Sequence, residues 1–236
     1  MTSGPPEPRK GVWLFPNAPA AQLVDSVIAA EEAGLDEVWI ADEGVARDPM
    51  AVLAAAATAT SRVRLAVGIT SPLLRHPGAI AVTAATVDEL SDGRFVLGLG
   101  VGGAAALAPF GLSTARPVGV LGDAIRTARA VLAAEPGVGF TPAAHGIGSR
   151  PVPIWVGARG AQLVRLAARI ADGVFLSGCT AGQHEEIVGA VREISTGAGV
   201  AIYQSASDAG SSPTASRWDE VGGFLAAENA LSLIHI

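Results

Sequence analysis

The chain predicts an α/β fold, a (β/α)8 TIM barrel truncated after about seven β/α units. Three observations lead there. Seven short apolar runs alternate with amphipathic helical segments along the 236 residues. The runs are rich in Val and Ile with little polar alternation, as in parallel strands buried on both faces. No linker divides the chain, and seven such units in a row favour a barrel over an open doubly wound sheet.

The strand-like runs fall at residues 12–15, 37–41, 64–69, 95–99, 153–156, 173–176 and 200–203. After the first, Val24, Val27, Ile28 and Glu31 trace a helix that stops at Gly34. After the fifth, Leu163, Leu166, Ala167 and Ile170 share one helical face and Arg165 and Arg169 the other. Ile187, Ala190, Val191 and Ile194 repeat the pattern after the sixth. Residues 135–150, with Gly, Pro and one His, read as a surface excursion between the fourth and fifth units. Beyond the seventh run come a polar loop at 204–216 and a helix-like stretch at 218–230.

The last six residues, Leu-Ser-Leu-Ile-His-Ile, fit no unit. They match one translation of a transposon end used to tag sequencing libraries. The expectation is a single barrel domain over 1–230, C-terminally incomplete, with 231–236 a non-native tail. Lacking an eighth unit, such a barrel would leave open edges at strands one and seven.

Half of the residues are hydrophobic and 16% are charged, so a large core is available and disorder is excluded. A net charge of −6 leaves no footprint for nucleic acid or an anionic membrane. Cys179 is the sole cysteine, which excludes an internal disulfide. The polar, proline-rich start lacks the apolar core of an export signal, and no apolar run suits a bilayer. A cytoplasmic location is expected.

In a parallel barrel, chemistry gathers on the loops after the strands. That rule nominates Asp42 and Glu43, a carboxylate pair suited to acid–base work, or else to capping the next helix or pairing with an arginine. After strand three come Gly68, Ile69, Thr70 and, further on, Arg75-His76-Pro77. The last three are a functional loop or a helix start with Pro77 in the first turn and Arg75 on a carboxylate. Strand four ends in Gly98-Leu99-Gly100-Val101-Gly102-Gly103, which formally matches G-x-G-x-x-G. A dinucleotide fold is rejected, because residues 104–114, with Pro109 and Gly111, intervene before any long helix, and Asp123 sits within a helical pattern. Backbone kept bare beside a planar ligand is the simpler account. Gly157, Ala158, Arg159 and Gly160 open a helix and leave N–H groups for a phosphate, or merely turn the chain. Ser177, Gly178, Cys179 and Thr180 on the next loop add donors. No spacing suits a metal, and no nucleophile elbow is present.

Five phrases in order carry a family resemblance: EAGLDEVWIADE, SPLLRHPGAIA, ELSDGRFVLGLGVG, PVPIWVGARG and ARIADGVFLSG. Together they resemble the luciferase-like monooxygenase superfamily, in its branch dependent on the deazaflavin coenzyme F-420. The resemblance runs to about Tyr203. It implies a ring held at the C-terminal mouth of the barrel, backed by a strand-three bulge with a non-prolyl cis peptide at Gly68-Ile69. It implies that Asp42 is the ring-proximal acid and that Glu43 stands where sugar-phosphate dehydrogenases of the branch have histidine. Gly157 to Gly160, with Gly178 to Thr180, would hold the coenzyme phosphate. One departure is visible: some members carry a glutamate after the strand-four glycines, where this chain has Gly103 and three alanines.

The resulting expectation is an oxidoreductase moving a hydride between coenzyme F-420 and a small organic substrate, with Glu43 as proton donor. A flavin mononucleotide (FMN) monooxygenase and a non-catalytic flavin-binding homologue are the alternatives. The full-length protein is expected to act on a small molecule, with a homodimer in keeping with the family.

Overall fold

A computed structural model describes residues 9–137, 141, 143, 146–177, 181–205 and 231–235; for 177, 181, 182, 202–205 and 231–235 it describes the backbone alone. Seven parallel strands appear where the sequence places them: β1 Lys10–Leu14, β2 Glu37–Ile40, β3 Arg64–Thr70, β4 Phe95–Leu99, β5 Ile154–Gly157, β6 Gly173–Ser177 and β7 Gly199–Ser205. The crossover helices are α1 Ala20–Glu32, α2 Pro49–Ala59, α3 Pro77–Leu90, α5 Pro117–Ala133, α6 Ala161–Ile170 and α7 Ala181–Ile194. Each strand pairs in parallel with the next, from β1 to β7. The helix-like stretch at 218–230 lies outside the described residues.

Three details differ from expectation. The edges of β1 and β7 are not open: β8, Leu231–His235, pairs antiparallel with both and closes the barrel. An extended segment can satisfy two free edges in either direction, because the ladder needs only backbone N–H and C=O groups. A short helix, α4 Ala104–Leu107, does begin directly after Gly103, followed by a 3-10 turn at Ala108–Phe110. Its single turn is no dinucleotide-binding helix, and the true crossover, α5, starts at Pro117. Finally, α6 buries Val164, Ala167 and Ala168, while Leu163, Leu166 and Ile170 pack partly buried at the margin of the core.

Two apolar layers result. One lies between strands and helices, built from residues such as Leu14, Leu23, Ile40, Leu53, Leu97 and Leu121. The other fills the barrel with Trp39, Ala66, Val96, Trp155, Phe175 and Ala201. Trp39 stacks on Phe175 at 4.7 Å and meets Trp155 edge-on at 5.7 Å. Glycines make room for these rings. A Cβ at Gly199 would lie 2.7 Å from the Trp155 indole, one at Gly173 would overlap it, and one at Gly68 would lie 2.8 Å from Trp39. Large and small inward residues therefore alternate between neighbouring strands, which is how a barrel interior reaches close packing.

The N-terminal foot of the barrel is sealed by charge. Glu37 is buried and accepts from Trp39 Nε1 at 2.9 Å, while Arg64 and Arg9 both reach it at 3.0 Å. Arg94 donates to backbone carbonyls of Ala57, Thr60, Val63 and Ser91, tying the end of α2 to the turn before β4. At this end the polar network serves stability.

Candidate active site

The opposite end of the barrel holds a cleft of about 370 Å³. Asp42, Glu43, Gly68, Ile69, Gly100, Gly102, Gly157, Ala158 and Arg159 all line it, so residues from four strand ends converge as the spacing predicts. Thr70 stands behind the wall, and Gly160 is the N-cap residue of α6. Gly178, Cys179 and Thr180 lie outside the described residues, and of Ser177 only the backbone is described.

The loop after β2 resolves the two readings of the carboxylate pair. Neither Asp42 nor Glu43 caps α2; Asp48 does, accepting from Met50 N at 2.9 Å with Pro49 in the first turn. Asp42 is held from two sides. Its Oδ2 accepts from the Thr70 hydroxyl at 2.6 Å and its Oδ1 from Gly44 N at 3.2 Å. Each oxygen keeps a lone pair, so Asp42 remains an acceptor of fixed orientation. Burial pushes the Glu43 carboxyl above its ordinary value, and the charge of Asp42 adds to the effect. One carboxylate is thus pinned as an acceptor, and its neighbour is biased toward the protonated, donating form.

Arg75, His76 and Pro77 take the structural role. Arg75 pairs with Asp48, joining the starts of α2 and α3, and His76 Nδ1 caps α3 by accepting from Gly78 N at 3.1 Å. None of the three lines the cleft.

Strand β3 carries the expected irregularity. Its register against β4 shifts between Val67 and Thr70, and the Gly68-Ile69 peptide bond is cis. The Gly68 carbonyl accepts from Trp13 Nε1 at 2.7 Å, which ties the bulge to β1.

Packing by itself requires glycine at Gly98, within β4, and at Gly100, which also lines the cleft. A Cβ at Gly100 would lie 2.6 Å from Ile69 Cδ1, and one at Gly98 would strike the Val67 carbonyl oxygen. Gly102 is required by its left-handed φ of 82°. Among the described glycines that line the cleft, Gly103 alone has open space where its Cβ would be, and Gly160, the N-cap residue beyond β5, has it too. Those two positions are where the backbone is accessible to a bound group.

Sequence reasoning missed Trp13, Phe175, Leu163, Ala105 and Ala106, which also line the cleft. Trp13 lies two residues from Gly11 and Phe175 two from Gly173, so the two-residue period of inward positions on a strand carried the signal for both. The others sit on helices whose tilt over the mouth no local pattern reports.

An apolar floor, open backbone at Gly103 and Gly160, and an acceptor–donor pair of carboxyl groups fit a flat heterocycle with an anionic tail. No side chain caps the start of α6 at Gly160, so its first-turn N–H groups are left open to an anion beside Arg159. Among the described residues no group of three or more His, Cys, Asp or Glu is placed to hold a metal. No described helix is long and apolar enough to cross a membrane.

Comparison with known proteins agrees with this geometry. The model of the luciferase-like monooxygenase family matches residues 4–207. The 5,10-methylenetetrahydromethanopterin reductase of Methanolobus tindarius is 30% identical over 194 residues, which is 80% of this chain and 59% of that protein. The F-420-dependent glucose-6-phosphate dehydrogenase of Beutenbergia cavernae is 34% identical over 186 residues, 70% of this chain and 54% of that protein. Among solved structures, the coenzyme F-420-dependent tetrahydromethanopterin reductase of Methanopyrus kandleri superposes with a TM-score of 0.73 at 26% identity, covering 84% of this chain and 66% of that one. The chain spans little more than half the length of these two curated relatives.

Proposed function

The chain belongs to the luciferase-like monooxygenase family, and on that premise we propose that it forms the coenzyme-binding part of an F-420-dependent oxidoreductase acting on a small organic substrate. The observation that carries the reading is the convergence of the Asp42-Glu43 pair, the β3 bulge and the turn before α6 on one cleft. The F-420 dependence of the similar glucose-6-phosphate dehydrogenase, and of the structurally similar tetrahydromethanopterin reductase, supports the choice of coenzyme.

The coenzyme would be held by Ile69 beneath the ring, by backbone around Gly102 and Gly103, and by the Gly157 to Gly160 turn at its phosphate. When bound it supplies hydride exchange with a carbon of the substrate. The residues of this chain do the rest. Asp42, braced by Thr70 and Gly44, accepts a hydrogen bond and orients whatever donates it. Glu43 holds a proton for a substrate heteroatom that gains charge as hydride arrives. Val101, Ala105, Ala106 and Leu163 exclude water from one wall. Among the described residues that line the cleft, the ionisable ones are Asp42, Glu43 and Arg159. The bare wall at Gly103 leaves Glu43 as the proton donor and disfavours sugar-phosphate oxidation by the glutamate after strand four.

Fluorescence titration of the purified chain with F-420 and, separately, with FMN tests the coenzyme. Stopped-flow reduction or oxidation of bound coenzyme then tests turnover. The reading expects F-420 to bind more tightly than FMN. Preference for FMN, or binding of neither, overturns it.

A further inference from the structure

We infer that Gly100 and Gly157 form a socket for the Ile69 side chain, and that this packing sets the depth of the cleft. The inference rests on the proposed coenzyme site and assigns it positioning residues. Ile69 sits at the β3 bulge, lines the cleft and packs partly buried against the aromatic filling of the barrel. Its side chain lies across two neighbouring strand ends. A Cβ on Gly100 would come within 2.6 Å of Ile69 Cδ1, and one on Gly157 within 3.0 Å of Ile69 Cγ2. At neither position does backbone stand closer than an ordinary contact; the Gly157 carbonyl oxygen lies 3.6 Å from the Gly100 position. The same substitution at Gly98 differs, since it would strike the Val67 carbonyl and break the β3–β4 pairing itself.

The consequence is directional. A methyl group at Gly100 or Gly157 leaves the sheet unobstructed but takes the space Ile69 occupies. Close-packed aromatic rings lie toward the barrel interior, so Ile69 must rise into the cleft. A flat ligand seated on Ile69 then loses its depth. Truncating Ile69 removes the only side chain in conflict and restores the floor. Both glycines, on separate strands, answer to one side chain of a third.

The test compares Gly157→Ala and Gly100→Ala, each alone and in an Ile69→Ala background, in the full chain. Wild-type protein is expected to show methyl nuclear Overhauser contacts from Ile69 to the α-protons of Gly100 and Gly157, lost in the single glycine variants. Titration with F-420 is expected to give a dissociation constant about tenfold weaker in Gly157→Ala, more in Gly100→Ala, and near that of Ile69→Ala alone in the double variants. Melting temperature, recorded alongside, separates loss of fold from loss of depth. Should Gly100→Ala fail to fold, Gly157→Ala decides alone. Absent methyl contacts, unchanged affinity in Gly157→Ala, or no rescue by Ile69→Ala would overturn the inference. If wild-type chain binds no ring ligand, the proposed function fails, and the methyl contacts still decide whether the socket exists.

Discussion

The hydroxyl of Thr70, at the end of β3, donates to Oδ2 of Asp42, just past the end of β2, across 2.6 Å. Thr70 is fully buried, so the bond aims the carboxylate at the cleft mouth from behind. Thr70→Val keeps the shape and deletes the donor. It is expected to cost about 1.5–3 kcal/mol in urea unfolding, the range for a hydrogen bond to a charged group. Thr70→Ser should recover most of that loss, and equal stability of all three proteins would refute the role.

Glu43 gives a signed pH dependence. Burial, and then the charge of Asp42, raise its carboxyl value in the folded chain. A raised folded value means that its contribution to stability is present below the unfolded titration point and lost as pH rises through the folded one. The proton-donating form therefore persists to higher pH than in a free glutamate, and kcat/KM should fall on the alkaline side. Asp42→Asn removes the neighbouring charge and should move that limb to lower pH. Glu43→Gln should abolish the limb and lower kcat by about 10²-fold or more. A pH profile unchanged by both substitutions would remove Glu43 from the chemistry.

Trp13 is predicted to hold the bulge. Trp13→Phe keeps a ring and loses the 2.7 Å bond to the Gly68 carbonyl. Expected effects are about 1 kcal/mol of stability and a several-fold weaker coenzyme titration. Wild-type affinity in this variant would show that the bulge is held without the indole.

Glycines at different places in the barrel should differ sharply in tolerance. Gly173→Ala brings a methyl group into steric overlap with the Trp155 indole and is expected to cost more than about 3 kcal/mol or prevent folding. Gly103→Ala meets nothing and has ordinary backbone angles, so thermal melting should agree with wild type within about 0.5 kcal/mol. The reverse order would contradict the packing described.

Deleting residues 231–236 removes the strand that pairs with both β1 and β7. Two unpaired edges should then drive association. Size-exclusion chromatography with light scattering is expected to show oligomers or aggregate for the shortened chain. A shortened chain that stays monomeric with an unchanged melt would make β8 dispensable.

The sequence by itself determined the seven strands, their order and the end of the barrel that bears the site. Short Val- and Ile-rich runs and helix-face periodicity are local, so they can be read residue by residue. Asp42, Glu43 and Arg159 were legible because a parallel barrel places every strand end on one face, whereas the Gly68-Ile69 bulge was legible only through the family resemblance.

Tertiary structure alone decided which alternative each local pattern serves. Arg75 became a structural residue only once Asp48 stood opposite. Gly98, Gly100 and Gly157 proved to be neighbours of Ile69 and Val67, a contact between strands distant in sequence that no local pattern reports. Trp13 entered the site, and Leu231–His235 found two edges, through pairings between the two ends of the chain. Periodicity reports which face a residue shows, whereas the identity of the atom opposite depends on closure of the barrel.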